Sequence, residues 1–382
     1  MNILHLTQTD IKSDSRILKE MNSIATLNST YEVSGIGVIL NRGEKHTNNK
    51  DNLDIYSIIL KSREWRFLPR VIRHTCSLVE LTFKMFYKAK KLQPKVIHCH
   101  DTLVLPLGVM VKAFTGAKLI YDAHELESDR NGLTKILGKL TLFAEKALWR
   151  YVDALIVVSP SIEKWYMENI GDKYSEIVLN SPVLEKEESS KESSYLREYF
   201  SIPKESKIFL YVGGLVHGRG IELLTDAFRV SDIKSSLVFL GYGTLSDELK
   251  EIASSSSNIY VHDAVPHEEV VPVAKSADIG LCLIQNVSLS DYYCLPNKLF
   301  EYCFAEIPVL ASDFPDISAT VKKYNLGKCT ELNSASIYEA IKEFENMEVL
   351  ENIDINKLYE LSWEAQEDKL IKLYEQIIKV QG

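Results

Sequence analysis

Asp291-Tyr-Tyr-Cys-Leu-Pro-Asn-Lys-Leu-Phe-Glu-Tyr302 reads as a loop that turns into a helix at Pro296. Proline suits a first helical turn, where its missing N–H is not needed. Lys298 and Glu301 are spaced to share one face of that helix. The amides around Asn297, at the helix N-terminus, are unpaired and partly positive, which suits a phosphate. Lys298 adds a full positive charge. Glu301, one turn deeper, can accept hydrogen bonds from sugar hydroxyls. The apolar run Ile307-Pro-Val-Leu-Ala311 then reads as a buried strand. Together these parts describe a pocket for a nucleotide diphosphate with its ribose. Alone, the segment reads equally well as a capped helix with a surface ion pair.

The rest of the chain supplies the context. Apolar runs at Ile3–Leu6, Val33–Leu40, Ile55–Leu60, Val96–Cys99, Lys118–Tyr121 and Ala154–Val158 alternate with helical patterns, notably at 70–92, 104–114, 133–150 and 160–169. Buried strands separated by helices predict a parallel sheet covered on both faces. The polar, Ser-rich stretch Asn180–Ser194 reads as a linker or surface excursion. A second alternation follows, through Ile208–Val212, Leu237–Leu240, Ile259–Val261, Ile279–Leu283 and Val309–Ala311. Its first strand runs into Tyr211-Val-Gly-Gly-Leu-Val-His-Gly-Arg-Gly220 and a helix. Gly213 and Gly214 let the backbone approach a phosphate closely, and Arg219, where the helix begins, can clamp a diphosphate.

The Gly-rich loop and the Pro-x-Lys-x-x-Glu helix together resemble the donor-binding signature of retaining GT-B glycosyltransferases of family 4. The resemblance covers nearly the whole chain. It implies an α/β fold of two doubly wound, Rossmann-like domains facing a cleft. Residues 1–180 would form the acceptor-side domain and residues 181–361 the nucleotide-sugar-binding domain. Residues 362–382 would form a helix returning to the first domain. The activity implied is transfer of a sugar from a nucleotide-diphosphate donor, UDP-linked, to an acceptor hydroxyl. Many members act on lipid-linked glycans in cell-surface polysaccharide assembly. In the front-face mechanism the leaving phosphate takes the acceptor's proton, and no separate protein base is needed.

The resemblance assigns roles residue by residue. His124, in Tyr121-Asp-Ala-His-Glu125, matches a histidine that faces the donor sugar, although a lone loop histidine also reads as a helix cap. Arg219 and Lys298 match the diphosphate pair. Gly213, Gly214, Asn297 and Glu301 match the donor site, with Glu301 on the ribose. Arg16, in the opening pattern Asp14-Ser-Arg-Ile-Leu-Lys-Glu20, is a lesser donor-site candidate. Two departures stand out. Gly214 replaces a basic residue common in the family, and Tyr293 stands where many members carry a sugar-contacting Glu; Tyr293 or the nearby Asp291 takes its place. Those losses keep two alternatives open: an inactive scaffold partnering another transferase, or a nucleotide-sugar 2-epimerase.

Ile97-His-Cys-His-Asp101 ends another strand, and alternation turns His98 and His100 to one face. A two-His metal site would need a third ligand and an open position. The plainer reading is a polar carboxyl edge with His100 and Asp101 on the acceptor side. No metal is expected: no Asp-x-Asp pair occurs to hold a divalent ion under a diphosphate. No cofactor beyond the donor substrate is expected either, and no P-loop pattern occurs.

Composition sets the outer bounds. The formal charge of −9 over 382 residues argues against a nucleic-acid binder. Six cysteines without a C-x-x-C pair read as reduced thiols of a cytoplasmic protein. The start, Met1-Asn-Ile-Leu-His-Leu6, reads as a strand rather than a signal peptide. Within this acidic chain, residues 61–95 hold ten basic side chains against Glu64 and Glu80, with Trp65, Phe67, Val71, Ile72, Val79 and Phe83 interleaved. That is the composition of a surface that meets an anionic membrane peripherally. It is also that of an ordinary helix with a solvated basic face.

Overall fold

The computed structural model describes residues 1–28, 30–39, 53–183, 194–230, 232–347, 353 and 355–379. Leu40 and most of the expected Ser-rich linker lie outside the described residues. The chain divides into two compact units: Met1–Val178 with Glu367–Gly382, and Leu179–Gln366.

The first unit is built on seven parallel strands: β1 (Asn2–Leu6), β2 (Glu32–Val38), β3 (Leu53–Ile58), β4 (Val96–His100), β5 (Lys118–Ala123), β6 (Ala154–Val157) and β7 (Ser175–Ile177). Their order is β3-β2-β1-β4-β5-β6-β7. The connecting helices are α1 (Ser15–Leu27), α2 (Arg70–Leu92), α3 (Leu105–Thr115), α4 (Lys135–Leu148) and α5 (Pro160–Asn169). The strand order reverses between β1 and β4. At such a switch point neighbouring connections diverge and leave a crevice at the carboxyl ends of the strands. Register aligns His5 with His98 and His100 with Asp122 beside that crevice.

The second unit repeats the plan with six parallel strands in the order β10-β9-β8-β11-β12-β13. They are β8 (Ile208–Val212), β9 (Ser236–Leu240), β10 (Ile259–His262), β11 (Ile279–Cys282), β12 (Val309–Ser312) and β13 (Gly327–Thr330). The helices are α6 (Tyr195–Phe200), α7 (Ile221–Phe228), α8 (Ser246–Ser254), α9 (Val270–Ala274), α10 (Leu289–Tyr292), α11 (Asn297–Phe304), α12 (Pro315–Tyr324), α13 (Ser334–Asn346) and α14 (Ile355–Leu358). Here the switch falls between β8 and β11. The last helix, α15 (Trp363–Lys379), carries its later turns into the first unit and buries Leu370, Leu373, Tyr374 and Ile377.

Two strands are absent from the sequence expectation, β7 and β13. Both are short edge strands without an apolar run, so nothing in their composition sets them apart from loops. Pro296 immediately precedes α11 rather than lying within its first turn; its backbone is extended, and its carbonyl accepts from the Leu299 amide at 3.0 Å. All six cysteines are unpaired thiols.

The second unit's core gathers around the central strand β8. The Phe209 ring meets Phe228 at 5.4 Å and Phe344 at 6.2 Å between centroids, joining α7 and α13 to the sheet. Phe209→Ala should therefore cost about 3–5 kcal/mol. Urea melts followed by circular dichroism check this, and a midpoint unchanged from wild type would refute it.

Candidate functional site

In the second unit the site is built at the carboxyl ends of β8 and β11. Beyond β8 the chain turns at Gly213, whose φ of +120° an L side chain rarely adopts. The Tyr211 hydroxyl donates to the Gly214 carbonyl at 2.8 Å and fixes the turn. Gly218 and Gly220 flank Arg219, both left-handed. At Gly220 a Cβ would lie 2.4 Å from the Leu283 carbonyl oxygen, so only glycine brings the start of α7 this close to the end of β11.

Four charged side chains meet here. Lys298 lays its Nζ 3.6 Å from the centre of the Tyr211 ring, a cation–π contact, and beside Gly213. Among the described residues no carboxylate lies within ion-pair distance of Lys298. Arg219 donates to Asp291 Oδ1 at 3.1 Å, and the other Asp291 oxygen accepts from Ser288 Oγ at 2.7 Å. Asp291 thus aims the guanidinium. Glu301 is almost fully buried, with His267 Nδ1 3.8 Å away. Cys282, ending β11, senses the convergence. Burial pushes its thiol up to about 12, against the pull of Lys298 and Arg219, with Glu301 adding to the rise.

The first unit holds a buried polar cluster at the β1–β4 switch. The His5, His98 and His100 rings stack with centroids 4.4–5.2 Å apart and no exposed surface. His100 Nδ1 lies 3.0 Å from His124 Nε2, and His124 Nε2 lies 3.1 Å from Asp122 Oδ2. Asp122 Oδ1 accepts from Arg16 at 2.9 Å, and Arg16 Nε pairs with Glu20 at 3.0 Å. Burial opposes ionisation of Asp122, but Arg16 and His124 outweigh it and hold the carboxyl well below its usual range. Burial likewise opposes charge on His124, yet Asp122 and Asp101 lift it to about 9. Burial, with Asp122 next, raises Glu20 to about 8. His5, His98 and His100 all fall below the usual histidine value, burial being the main cause.

His5, Glu20, His98 and His100 offer ligand atoms within 4.8 Å of one another, as do His100, Asp122 and His124. The spacing would admit a metal, but the chemistry fits poorly. Arg16 already brings a cation to Glu20 and Asp122, and the imidazole nitrogens pair with one another.

The expected residues fall into two groups. Arg219, Lys298, Glu301, Gly213, Gly214, Asn297, Asp291 and Tyr293 all belong to the second unit. Asp291 is committed to Arg219 and Ser288. His124, His100, Asp101 and Arg16 belong to the first. His100 is fully buried, so it cannot line an acceptor surface directly; it lies behind His124, whose side chain keeps 20% of its exposure. Arg16 is equally interior, as the counter-charge of Asp122 and Glu20. His5, Glu20, Asp122, Tyr374 and His267 escaped the sequence reading. Asp122, near the end of β5, and His124, just beyond it, are two residues apart, and Arg16 and Glu20 are one helical turn apart; those spacings were the available signal.

Residues 39–180 match the family described as Glycosyltransferase Family 4, and residues 194–359 match Glycosyl transferases group 1. The chain belongs to the family 4 GT-B glycosyltransferases. Its fold is shared with sucrose-phosphate synthase from Thermosynechococcus elongatus, with a TM-score of 0.77, 15% identity and full coverage of both chains. Anabaena HepE, solved with UDP-glucose, aligns with a TM-score of 0.73 at 12% identity over 98% of this chain and all of that one. Among curated relatives, a Methanocaldococcus jannaschii glycosyltransferase is 22% identical over 62% of this chain and 60% of its own length. The chitobiosyldiphosphodolichol beta-mannosyltransferase of Candida albicans is 24% identical over 59% of this chain and 53% of its own length. The chain thus spans little more than half of these two relatives. The Kluyveromyces lactis protein of the same name matches at 22% over 89% of this chain and 81% of its own.

The Gly220 geometry makes a direct prediction. Gly220→Ala should destabilise the second unit by about 1–3 kcal/mol, since an L residue would sit in a left-handed conformation against backbone. For a domain of this size that is roughly 2–4 °C in Tm per kcal/mol. Calorimetry showing an unshifted transition would contradict the close packing of α7 on β11.

Proposed function

We propose that this glycosyltransferase is a retaining enzyme that moves a hexosyl or N-acetylhexosaminyl group from a UDP-linked donor to a lipid-linked glycan. One observation carries the reading. Arg219, before α7, and the distant pair Lys298 and Glu301, on α11, converge where β8 and β11 end. Arg219 and Lys298, with the amides at the start of α11, match a diphosphate, and Glu301 matches the ribose hydroxyls. Gly213 and Gly214 admit the phosphates to the backbone, and Tyr293 stands nearest the usual sugar-contacting position. These donors would stabilise the departing diphosphate without a divalent ion. To His124, with Asp101 beside it, we assign the contact with the donor sugar that the family resemblance implies. Asp291 holding Arg219 in place speaks for a working site rather than an inactive scaffold.

Membrane contact forms the second part of the proposal. No helix among the described residues is long and apolar enough to cross a membrane. Instead α2 turns Val71, Phe83 and Tyr87 outward, with Phe67 just before it; Phe67 and Val71 keep more than three quarters of their exposure. The Glu80 charge is answered locally: burial opposes it, but Lys84 and the Ser62 hydroxyl and amide hold the carboxyl ionised, at about 2. Helix α4 exposes Ile136, Leu140 and Phe143 beside Lys135 and Lys139. Apolar and basic groups thus share outer faces, the composition that favours an anionic leaflet. A cytoplasmic enzyme bound peripherally to the inner leaflet would meet its lipid-linked acceptor there.

Two experiments test the proposal. Lys298→Ala and Glu301→Ala should each lower transfer roughly 10–150-fold, the worth of one bond to a charged group, with melting unchanged. The assay uses a panel of UDP-, GDP- and TDP-sugars with EDTA present, and NMR reads the product anomer. Wild-type rates in both variants would remove the donor-site assignment. Activity that requires added Mg²⁺ or Mn²⁺ would remove metal independence, and an inverted product would remove retention. Separately, the wild type should sediment with anionic vesicles at low salt and be released near 1 M, where the Debye length is about 3 Å. Changing Arg66, Arg70 and Arg73 to Glu should abolish sedimentation. A wild type that stays in the supernatant would end the membrane reading.

A further inference from the structure

The polar cluster of the first unit has a direction. Asp122, paired with Arg16, is an acceptor only. His98 Nε2, 3.4 Å away, must therefore carry a proton toward it, which leaves His98 Nδ1 as an acceptor in the neutral ring. The partner of that nitrogen is the Tyr374 hydroxyl, at 2.8 Å, which must donate. The Tyr374 oxygen then accepts from His5 Nε2 at 3.5 Å, so His5 Nδ1 is an acceptor. It receives the Nε2 proton of His100 at 3.0 Å. His100 Nδ1 is in turn an acceptor and receives the Nε2 proton of His124 at 3.0 Å. His100 Nδ1 also lies 3.3 Å from Asp122 Oδ2, and the one His124 proton serves both acceptors. His124 Nε2 also faces Asp122 at 3.1 Å, which closes the circuit. The ionised Asp122 and the charged His124 fix three neutral imidazoles and a hydroxyl in a single sense.

We propose that Tyr374, on the last helix, is a positioning residue that closes this ring and orients His124, with its Nε2–H held inward and its Nδ1 turned out toward the substrate. The role of His124 rests on the proposed function; the ring does not. The groups facing His124 are Asp122 on β5, His100 and Asp101 at the end of β4, and Arg16 and Glu20 on α1. Of these only Asp101 lies on the Nδ1 side, 3.6 Å away. Burial that keeps His5, His98 and His100 neutral supports the assignment. Every ring in the circuit except His124 is fully buried, so water cannot rescue a broken link.

Nitrogen NMR of histidine-labelled full-length protein tests this. The wild type near pH 7 should show Nε2–H tautomers for His5, His98 and His100, assigned with single His→Gln variants. Tyr374→Phe removes one oxygen and keeps the ring volume. It should shift the His98 and His5 nitrogens, disturb the His124 signal, and lower kcat about 2- to 12-fold, the worth of one hydrogen bond, with donor KM little changed. An Nδ1–H tautomer at His98 or His5 in the wild type overturns the ring. Unaltered His124 nitrogens in Tyr374→Phe overturn the positioning role. The spectra decide both points without any transferase assay, so a failed donor assignment would be seen separately in the Lys298 and Glu301 variants.

Discussion

Every strand in both sheets runs the same way, and that constraint organises the molecule. A parallel sheet sends all its carboxyl ends to one edge, and the loops leaving that edge diverge only where the strand order reverses. In the second unit the reversal at β8 and β11 leaves room for a Gly-rich turn on one side and α11 on the other. In the first unit the reversal at β1 and β4 gathers His5, His98 and His100 beside Asp122. Chemistry-bearing residues distant in sequence meet because backbone direction leaves them a single place to meet.

The two edges handle charge in opposite ways. Around Gly213 the positive groups are kept available. Lys298 rests on an aromatic face instead of a carboxylate, and Arg219 has one aspartate that aims it. Such an edge suits a polyanion that arrives from solution. Around Asp122 every charge is already answered. Arg16 and His124 hold a fully buried carboxylate in its ionised form, and the neutral imidazoles pass hydrogen bonds along the interior. A buried carboxylate stripped of such partners is strongly destabilising, so this edge has little freedom to rearrange. Only His124 reaches outward from it.

Helix α4 inverts the usual arrangement, and α2 carries a second apolar face outward. An amphipathic helix normally turns its apolar stripe to the core. Here α2 buries Ser77, Leu81, Met85 and Ala89 and still exposes Val71, Phe83 and Tyr87. On α4, Gly138 and Glu145 face inward, with Glu145 accepting from the Tyr121 and Tyr166 hydroxyls, while Ile136 and Phe143 face out. A polar anchor inside and an apolar face outside cost stability in water unless the outer face meets an apolar phase.

Much of this was legible in the sequence because it is local. Buried parallel strands are continuous apolar runs, so eleven of the thirteen strands among the described residues announced themselves, and the two silent ones, β7 and β13, are short strands at sheet edges. Lys298 and Glu301 read as one face because helical spacing is fixed, and Gly213, Gly214 and Arg219 read as a phosphate turn because glycine marks backbone that other residues avoid. What stayed hidden depends on contacts across the chain. Nothing in Ile97-His-Cys-His-Asp101 says that His100 is sealed behind His124, or that Arg16 serves Asp122 rather than a ligand. Tyr374 is one tyrosine on an amphipathic helix until the fold sets it against His98. Periodicity and turn chemistry are properties of neighbouring residues, and the sequence determined them; burial and hydrogen-bond partnership belong to residues far apart, and only the packed sheet decided those.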